Sequence, residues 1–367
     1  MSFYDTIQKY KGMDFDHVLE NVSDQELSGI VRDMDLAPEQ FLALLSDKSD
    51  PYLERMAEVA HAKSLRNFGK AILLYTPLYL SNYCINGCIY CGFNTKNKIE
   101  RRKLTLDEVD AEARAISATG LRHILILTGE SRPQSPVSYI KDCIKILQKY
   151  FTSISIEIYP LEEEEYRELI EEGVDGLTLY QEVYDEERYG QVHLFGPKTD
   201  YRFRLDAPER ACKAMIRNVS IGSLLGLTTW QKEIFWTGLH AKYLQDKYPH
   251  TEISVSLPRI RPAEGLFEDV VKVRDKDLVK SILALRMFLP RVGITISTRE
   301  TAELRENLLP LGITKMSAGS TTLVGGHTLD EKDAKAQFAI SDNRSVQEIR
   351  KMLLSKGYQP VLKDWWY

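Results

Sequence analysis

Eight short apolar runs rich in β-branched residues, separated by charged stretches of helical pattern, constrain this chain most. That alternation is what a parallel sheet with crossover helices requires. The runs cover residues 72–75, 123–128, 153–158, 176–180, 218–222, 252–256, 293–297 and 314–317. Eight such units predict a closed (β/α)8 barrel, and 367 residues suffice for one with additions. Residues 1–70 read as an N-terminal helical region, 71–325 as the barrel, and 326–367 as a C-terminal extension packed on it, with an amphipathic helix over 345–353. Thr105-Leu106-Asp107-Glu108 offers an N-cap with an acidic first turn, and the Glu run after Pro160 reads as the solvated start of another helix.

The charges, 48 Lys and Arg against 53 Asp and Glu, are interspersed, so no basic field exists to hold phosphate backbones and nucleic acid is not an expected partner. No apolar run reaches bilayer-spanning length, so no membrane association is expected. Five cysteines and no secretory segment at the N-terminus predict a reducing, cytoplasmic setting without a disulfide framework.

Three of the cysteines fall together in Tyr83-Cys84-Ile85-Asn86-Gly87-Cys88-Ile89-Tyr90-Cys91-Gly92-Phe93. A structural zinc site closes its tetrahedron with four protein ligands, and an ordinary ferredoxin cluster takes four cysteines. Three clustered thiolates instead leave one iron of a cluster open to an external ligand. A zinc or purely structural role is the alternative. Cys143 and Cys212 lie beside apolar periodicity and read as core residues.

Barrel chemistry sits at the C-terminal ends of the strands, and polar residues follow most of the apolar runs. The cysteine loop follows the first run, Gly129-Glu130 the second, Gln181-Glu182 the fourth, and Gly222, Ser223 and Gly226 the fifth. Arg259 and Arg261 follow the sixth, Thr298-Arg299-Glu300 the seventh, and Ser317 and Ser320 end the eighth. Glu130 either caps a helix or meets a cationic amine. Arg204 is either a surface helix charge or a site residue. Arg299 is the candidate for a substrate carboxylate, because a guanidinium binds carboxylates through two parallel hydrogen bonds; a salt bridge to Glu300 is its structural alternative. His123 opens a strand and reads as structural.

The cysteine spacing with Tyr90 before the last thiol resembles the signature loop of radical S-adenosylmethionine (SAM) enzymes. Together with Leu127-Thr128-Gly129-Glu130, Tyr180-Gln181-Glu182, Arg204-Leu205, Ile221-Gly222, Pro258-Arg259-Ile260-Arg261-Pro262 and Ile296-Ser297-Thr298-Arg299-Glu300, the chain is similar to the aromatic amino acid lyase branch of that superfamily. Within the branch it most resembles the tyrosine lyases of thiamine thiazole synthesis, a likeness that extends through 337–342 and 357–365. Leu323-Val324-Gly325-Gly326-His327 departs from the expected Pro-Gly-Gly-Tyr.

The resemblance implies a radical SAM barrel in which Cys84, Cys88 and Cys91 hold a [4Fe-4S] cluster that cleaves bound SAM to a 5′-deoxyadenosyl radical. It implies that Glu130 binds the SAM amine, Arg204 its carboxylate and Glu182 the ribose, with Tyr90 and the Ile221-Gly222 backbone beside the adenine. The expected reaction is scission of the Cα–Cβ bond of L-tyrosine to 2-iminoacetate and p-cresol, with Arg299, Ser317 and Ser320 at the carboxylate and Tyr79 near the amine. A reductant such as flavodoxin or ferredoxin, and the thiazole synthase that consumes 2-iminoacetate, are the implied protein partners. A tyrosine lyase of the [FeFe]-hydrogenase-maturation type without its second cluster, a tryptophan lyase, and a non-enzymatic iron-sulfur electron carrier are the alternatives.

Overall fold

The structure is a computed structural model and describes residues 2–32, 35–265, 267–328 and 336–363; the last residues of the resemblance, Asp364 and Trp365, lie outside them. All eight apolar runs form strands: β1 Ala71–Ser81, β2 His123–Thr128, β3 Ser153–Glu157, β4 Gly176–Thr178, β5 Asn218–Gly222, β6 Glu252–Ser256, β7 Gly293–Ile296 and β8 Lys315–Ser317. Each pairs in parallel with the next, and β1 pairs with both β2 and β8, which closes the barrel. The fold is the expected (β/α)8 type.

β1 is longer than the sequence suggests. Pro77 breaks the apolar run, yet Thr76 to Tyr79 stay in register with β2, Tyr79 opposite Leu127, before the register shifts by one residue at Ser81, opposite Thr128. Strand β9, Gln359–Val361, is not legible as a strand; it pairs with Ala71–Leu73 at the foot of β1, and Leu362 O accepts from Arg122 N. It fills the corner where β1 and β2 have not yet met.

Helices from Phe3 to Phe68 precede β1 and cover the outside of the barrel. Phe3 stacks on His240, with 4.1 Å between centroids, and Phe41 on Phe288, at 4.4 Å. These contacts bind the region to the helices Trp230–Lys247 and Asp275–Phe288. Cys143 and Cys212 are fully buried core residues, and His123 spends Nε2 on Ser155 Oγ, 3.1 Å away on the neighbouring strand.

After β8 the chain returns across the barrel mouth. Gln337 N donates to Thr322 O (3.3 Å), Ala339 N to Pro262 O (2.9 Å) and Ser341 N to Thr298 O (2.9 Å), so this segment bridges the ends of β6, β7 and β8. Asp342 anchors it by pairing with the buried Arg305 and with Arg344. The final helix, Val346–Ser355, starts at its N-cap Ser345, whose Oγ accepts from Glu348 N.

Candidate active site

The cysteine loop is held first by backbone hydrogen bonds to its neighbours. Gly129 N donates to Ser81 O (2.9 Å) and Ile85 N to Glu130 O (3.0 Å), fastening the loop to the end of β2. That approach requires glycine, since a Cβ on Gly129 would lie 2.4 Å from Tyr83 O. On the other side Gly87 N donates to Phe195 O (2.9 Å), Leu194 N to Gly87 O (3.2 Å) and Ile89 N to Val192 O (3.1 Å). Beneath it Arg101 gives its guanidinium hydrogens to the carbonyls of Asn82, Phe93 and Asn94 at 2.7–2.9 Å.

Asn86 ties the loop to two further elements. Its Nδ2 donates to Glu130 Oε2 at 2.6 Å, and its Oδ1 accepts from Lys198 N at 3.0 Å. Tyr90 Oη lies 2.8 Å from His193 Nε2, and His193 Nδ1 lies 2.8 Å from Tyr189 O. A carbonyl only accepts, so Nδ1 carries the hydrogen and Tyr90 donates to Nε2. Burial, reinforced by Lys198 and Arg204, pushes His193 down to about 2, which keeps the ring neutral.

Cys84, Cys88 and Cys91 are all free thiols on this loop. Burial pushes Cys88 up to about 12, with the neighbouring Cys91 and Cys84 adding repulsion, and burial and Cys84 also raise Cys91. Among the described residues no three His, Cys, Asp or Glu side chains are grouped to hold a metal ion. Three thiols on one loop are one fewer than a tetrahedral zinc site takes, and suit a cluster that leaves one iron to another ligand. Their crowding in a buried place is relieved by bound cations, so the donor set fits an iron-sulfur cluster.

Next to the loop, Glu182 occupies the left-handed region at φ 70°, a conformation that costs energy for a residue with a side chain. Burial alone would raise its carboxyl, but Lys198 at 2.8 Å and Arg204 at 3.6 Å outweigh that and hold it below the usual range. Arg204 is buried rather than a surface charge, and its Nε donates to Tyr180 O at 2.8 Å. Gly222 ends β5 against bare backbone, where a Cβ would meet Ser256 O at 2.1 Å.

One cavity at the C-terminal ends of the strands joins these groups to the opposite wall. Tyr79, Tyr90, Cys91, Glu182, Arg299, Ser317 and Ser320 all line it. Glu130, Arg204, Ile221, Gly222, Cys84 and Cys88 are not on its wall; Glu130 connects to it through Asn86 and Lys198, and Arg204 through Glu182.

Arg299 forms no ion pair among the described residues. Its Nη1 donates to Arg259 O at 3.4 Å and its guanidinium lies 3.4 Å over the Phe338 ring. The alternative of a salt bridge to Glu300 is not realised, because Glu300 pairs with Arg259 instead. Ser320 Oγ is buried without a hydrogen-bond partner among the described residues, whereas Ser317 Oγ accepts from Thr298 N at 3.1 Å. Tyr79 donates to Gln337 Oε1 at 2.6 Å, and Gln337 Nε2 reaches Cys91 Sγ at 3.9 Å.

Lys198, His193, Asn86, Gln337 and Glu157 belong to the site and were not singled out from sequence. Asn86 sits unmarked inside the cysteine motif, Lys198 in the short 3-10 turn Pro197–Thr199, and His193 and Gln337 in connecting segments whose composition does not single them out. Glu157 did carry a signal, an acidic residue near the end of an otherwise apolar run.

Residues 78–236 match the radical SAM superfamily and residues 256–359 the Biotin and Thiamin Synthesis associated domain. The chain is 36% identical to 2-iminoacetate synthase of Escherichia coli (strain K12), over 97% of this chain and 96% of that one. The chain belongs to the 2-iminoacetate synthase family of radical SAM enzymes. The 2-iminoacetate synthase of Salmonella typhimurium (strain LT2) is 35% identical over the same shares. The FeFe-hydrogenase maturase HydG from Carboxydothermus hydrogenoformans superposes with a TM-score of 0.90 at 33% identity, covering 98% of this chain and 84% of that one. As a member of this family the protein is a radical SAM carbon–carbon lyase whose cofactors are a [4Fe-4S] cluster and SAM.

Proposed function

We propose that this protein cleaves the Cα–Cβ bond of L-tyrosine, giving 2-iminoacetate and p-cresol for thiamine thiazole synthesis. The observation that carries the reading is Arg299, a guanidinium without an acid of its own in the wall that also holds Cys91 and Glu182. An amino acid brings the missing carboxylate. The near full-length likeness to the two bacterial 2-iminoacetate synthases supports tyrosine as that amino acid.

Cys84, Cys88 and Cys91 would hold the cluster, leaving its fourth iron to SAM. Glu130 would take the SAM amine, Arg204 its carboxylate and Glu182 the ribose, with Tyr90 and the Ile221-Gly222 backbone flanking the adenine. When bound, these cofactors supply a 5′-deoxyadenosyl radical. The chain's remaining task is orientation. Arg299 with Ser317 and Ser320 fixes the tyrosine carboxylate, Tyr79 stands near the amine, and the amine N–H, rather than a C–H, is presented for abstraction. Phe338 and Gln337, on the segment crossing the mouth, help to exclude water from the reactive imine.

Residues 213–367 contain no cysteine and so supply no thiolates for a second cluster, which favours this reading over the hydrogenase-maturation type. Among the described residues no helix is long and apolar enough to cross a membrane. A cytoplasmic setting, a flavodoxin or ferredoxin reductant and a thiazole synthase partner complete the proposal. Its test is an anaerobic incubation of the reconstituted protein with SAM, reductant and either tyrosine or tryptophan. Tyrosine should yield p-cresol and glyoxylate, the hydrolysis product of 2-iminoacetate, without cyanide or carbon monoxide. A yield of 3-methylindole from tryptophan with no p-cresol from tyrosine would move the assignment to the tryptophan lyases.

A further inference from the structure

The cavity wall contains two acidic residues, and they are in opposite situations. Glu182 is engaged by Lys198 and Arg204. Glu157, the last residue of β3, lines the same cavity with no hydrogen bond or ion pair among the described residues. Strand β3 stands across the ring from β7, whose end carries Arg299. Glu157 is within electrostatic reach of Arg299 on one side and of Glu182, Arg204 and Lys198 on the other. It therefore shares one cavity with the group proposed to hold the substrate carboxylate and with Glu182 on the side proposed to hold SAM, the space in which the reacting amine has to be.

An amino acid enters as a zwitterion, and its ammonium is the wrong species for hydrogen-atom loss. Removing a hydrogen atom from –NH3+ would leave a cationic nitrogen radical among Arg299, Lys198 and Arg204 in a water-poor cavity, where unpaired charge is costly. A neutral amine gives a neutral radical. Resting on the tyrosine-lyase reading, we propose that Glu157 accepts a proton from the substrate ammonium, the carboxylate oxygen gaining the hydrogen while the nitrogen keeps its electron pair. No oxidant or reductant enters this step.

The surroundings suit such an exchange. Burial, with Glu182 adding to it, holds Glu157 up at about 7 against the opposing pull of Arg299, Arg204 and Lys198. The phenols facing it from β1 and the end of β4, Tyr75, Tyr79 and Tyr180, are all raised by burial and stay protonated, so they do not compete as bases. The same cations that lower Glu157 also weaken the hold of the bound ammonium on its proton.

The test uses anaerobically reconstituted protein with SAM and no reductant, titrated with L-tyrosine in buffers of different ionisation enthalpy. Wild type should release about one proton on binding near pH 6, where Glu157 is already protonated, and about none near pH 8, where the proton passes within the complex. Glu157→Gln should abolish that pH step and, once reductant is added, lower p-cresol formation by about a hundredfold or more. Glu157→Asp retains a carboxylate and should keep the step with reduced p-cresol, so the assignment stays testable if the Gln variant does not fold. A wild-type proton release that does not change with pH, or a Gln variant making p-cresol within about threefold of wild type, overturns the assignment. Wild type that makes no p-cresol at all overturns the tyrosine reading instead.

Discussion

Arg299 illustrates how much depends on what a residue is not paired with. Burial lowers its pKa, with the phenols of Tyr79 and Tyr180 and the carboxyls of Glu182 and Glu157 working against that, and among the described residues no acid closes on the guanidinium as an ion pair. The Phe338 face and one carbonyl hold its orientation without neutralising it. Lysine carries the charge but not the planar fork. Arg299→Lys is therefore expected to weaken tyrosine binding by about 2 kcal/mol, roughly thirtyfold, while SAM binding persists. Separate titrations of tyrosine and SAM against the reconstituted variant check this. Unchanged tyrosine affinity would assign Arg299 to structure, and loss of SAM binding would assign it to the other ligand. From sequence the Arg299–Glu300 salt bridge is the lesser, structural alternative to a carboxylate-binding role, because adjacency in the chain does not tell where each side chain points; Glu300 turns instead to Arg259 on the next strand end.

The element that carries the chemistry is the cysteine loop, and it is shaped by what grips it. The C-x3-C-x2-C spacing was fully legible. Its clamps were not: the 192–196 segment, Asn86 between Glu130 and Lys198, and the Arg101 fork come from distant parts of the chain that only the closed barrel brings together. Gly129 is the narrowest point of this assembly. Gly129→Ala would push a methyl group into Tyr83 O, with Cys84 Cβ 3.1 Å away. Overpacking of this kind costs about 1–3 kcal/mol, and here it falls on the loop that presents the thiols. The expected result is a folded barrel, unchanged by circular dichroism, that retains clearly less iron after reconstitution. Full iron content and an unaltered cluster spectrum would show that the loop tolerates displacement.

At the scale of the molecule, eight strands read from apolar periodicity closed as expected, and the rule that polar residues gather at the strand ends located the mouth. The rule was applied to seven strand ends and passed over the third, where Glu157 sits. The segment across the mouth and strand β9 stayed illegible because each is short and gains its structure only from a partner remote in sequence, Gln337 from Tyr79 and Gln359 from Ala71. On the proposed function, the whole arrangement serves to turn the amine, not a carbon, toward the radical. Isotope tracing reads that orientation directly, by mass spectrometry of the 5′-deoxyadenosine formed. In D2O with ordinary tyrosine it should carry a deuterium from the exchanged amine, and in H2O with tyrosine deuterated at Cα and Cβ it should carry none. Deuterium arriving from either carbon would contradict the account.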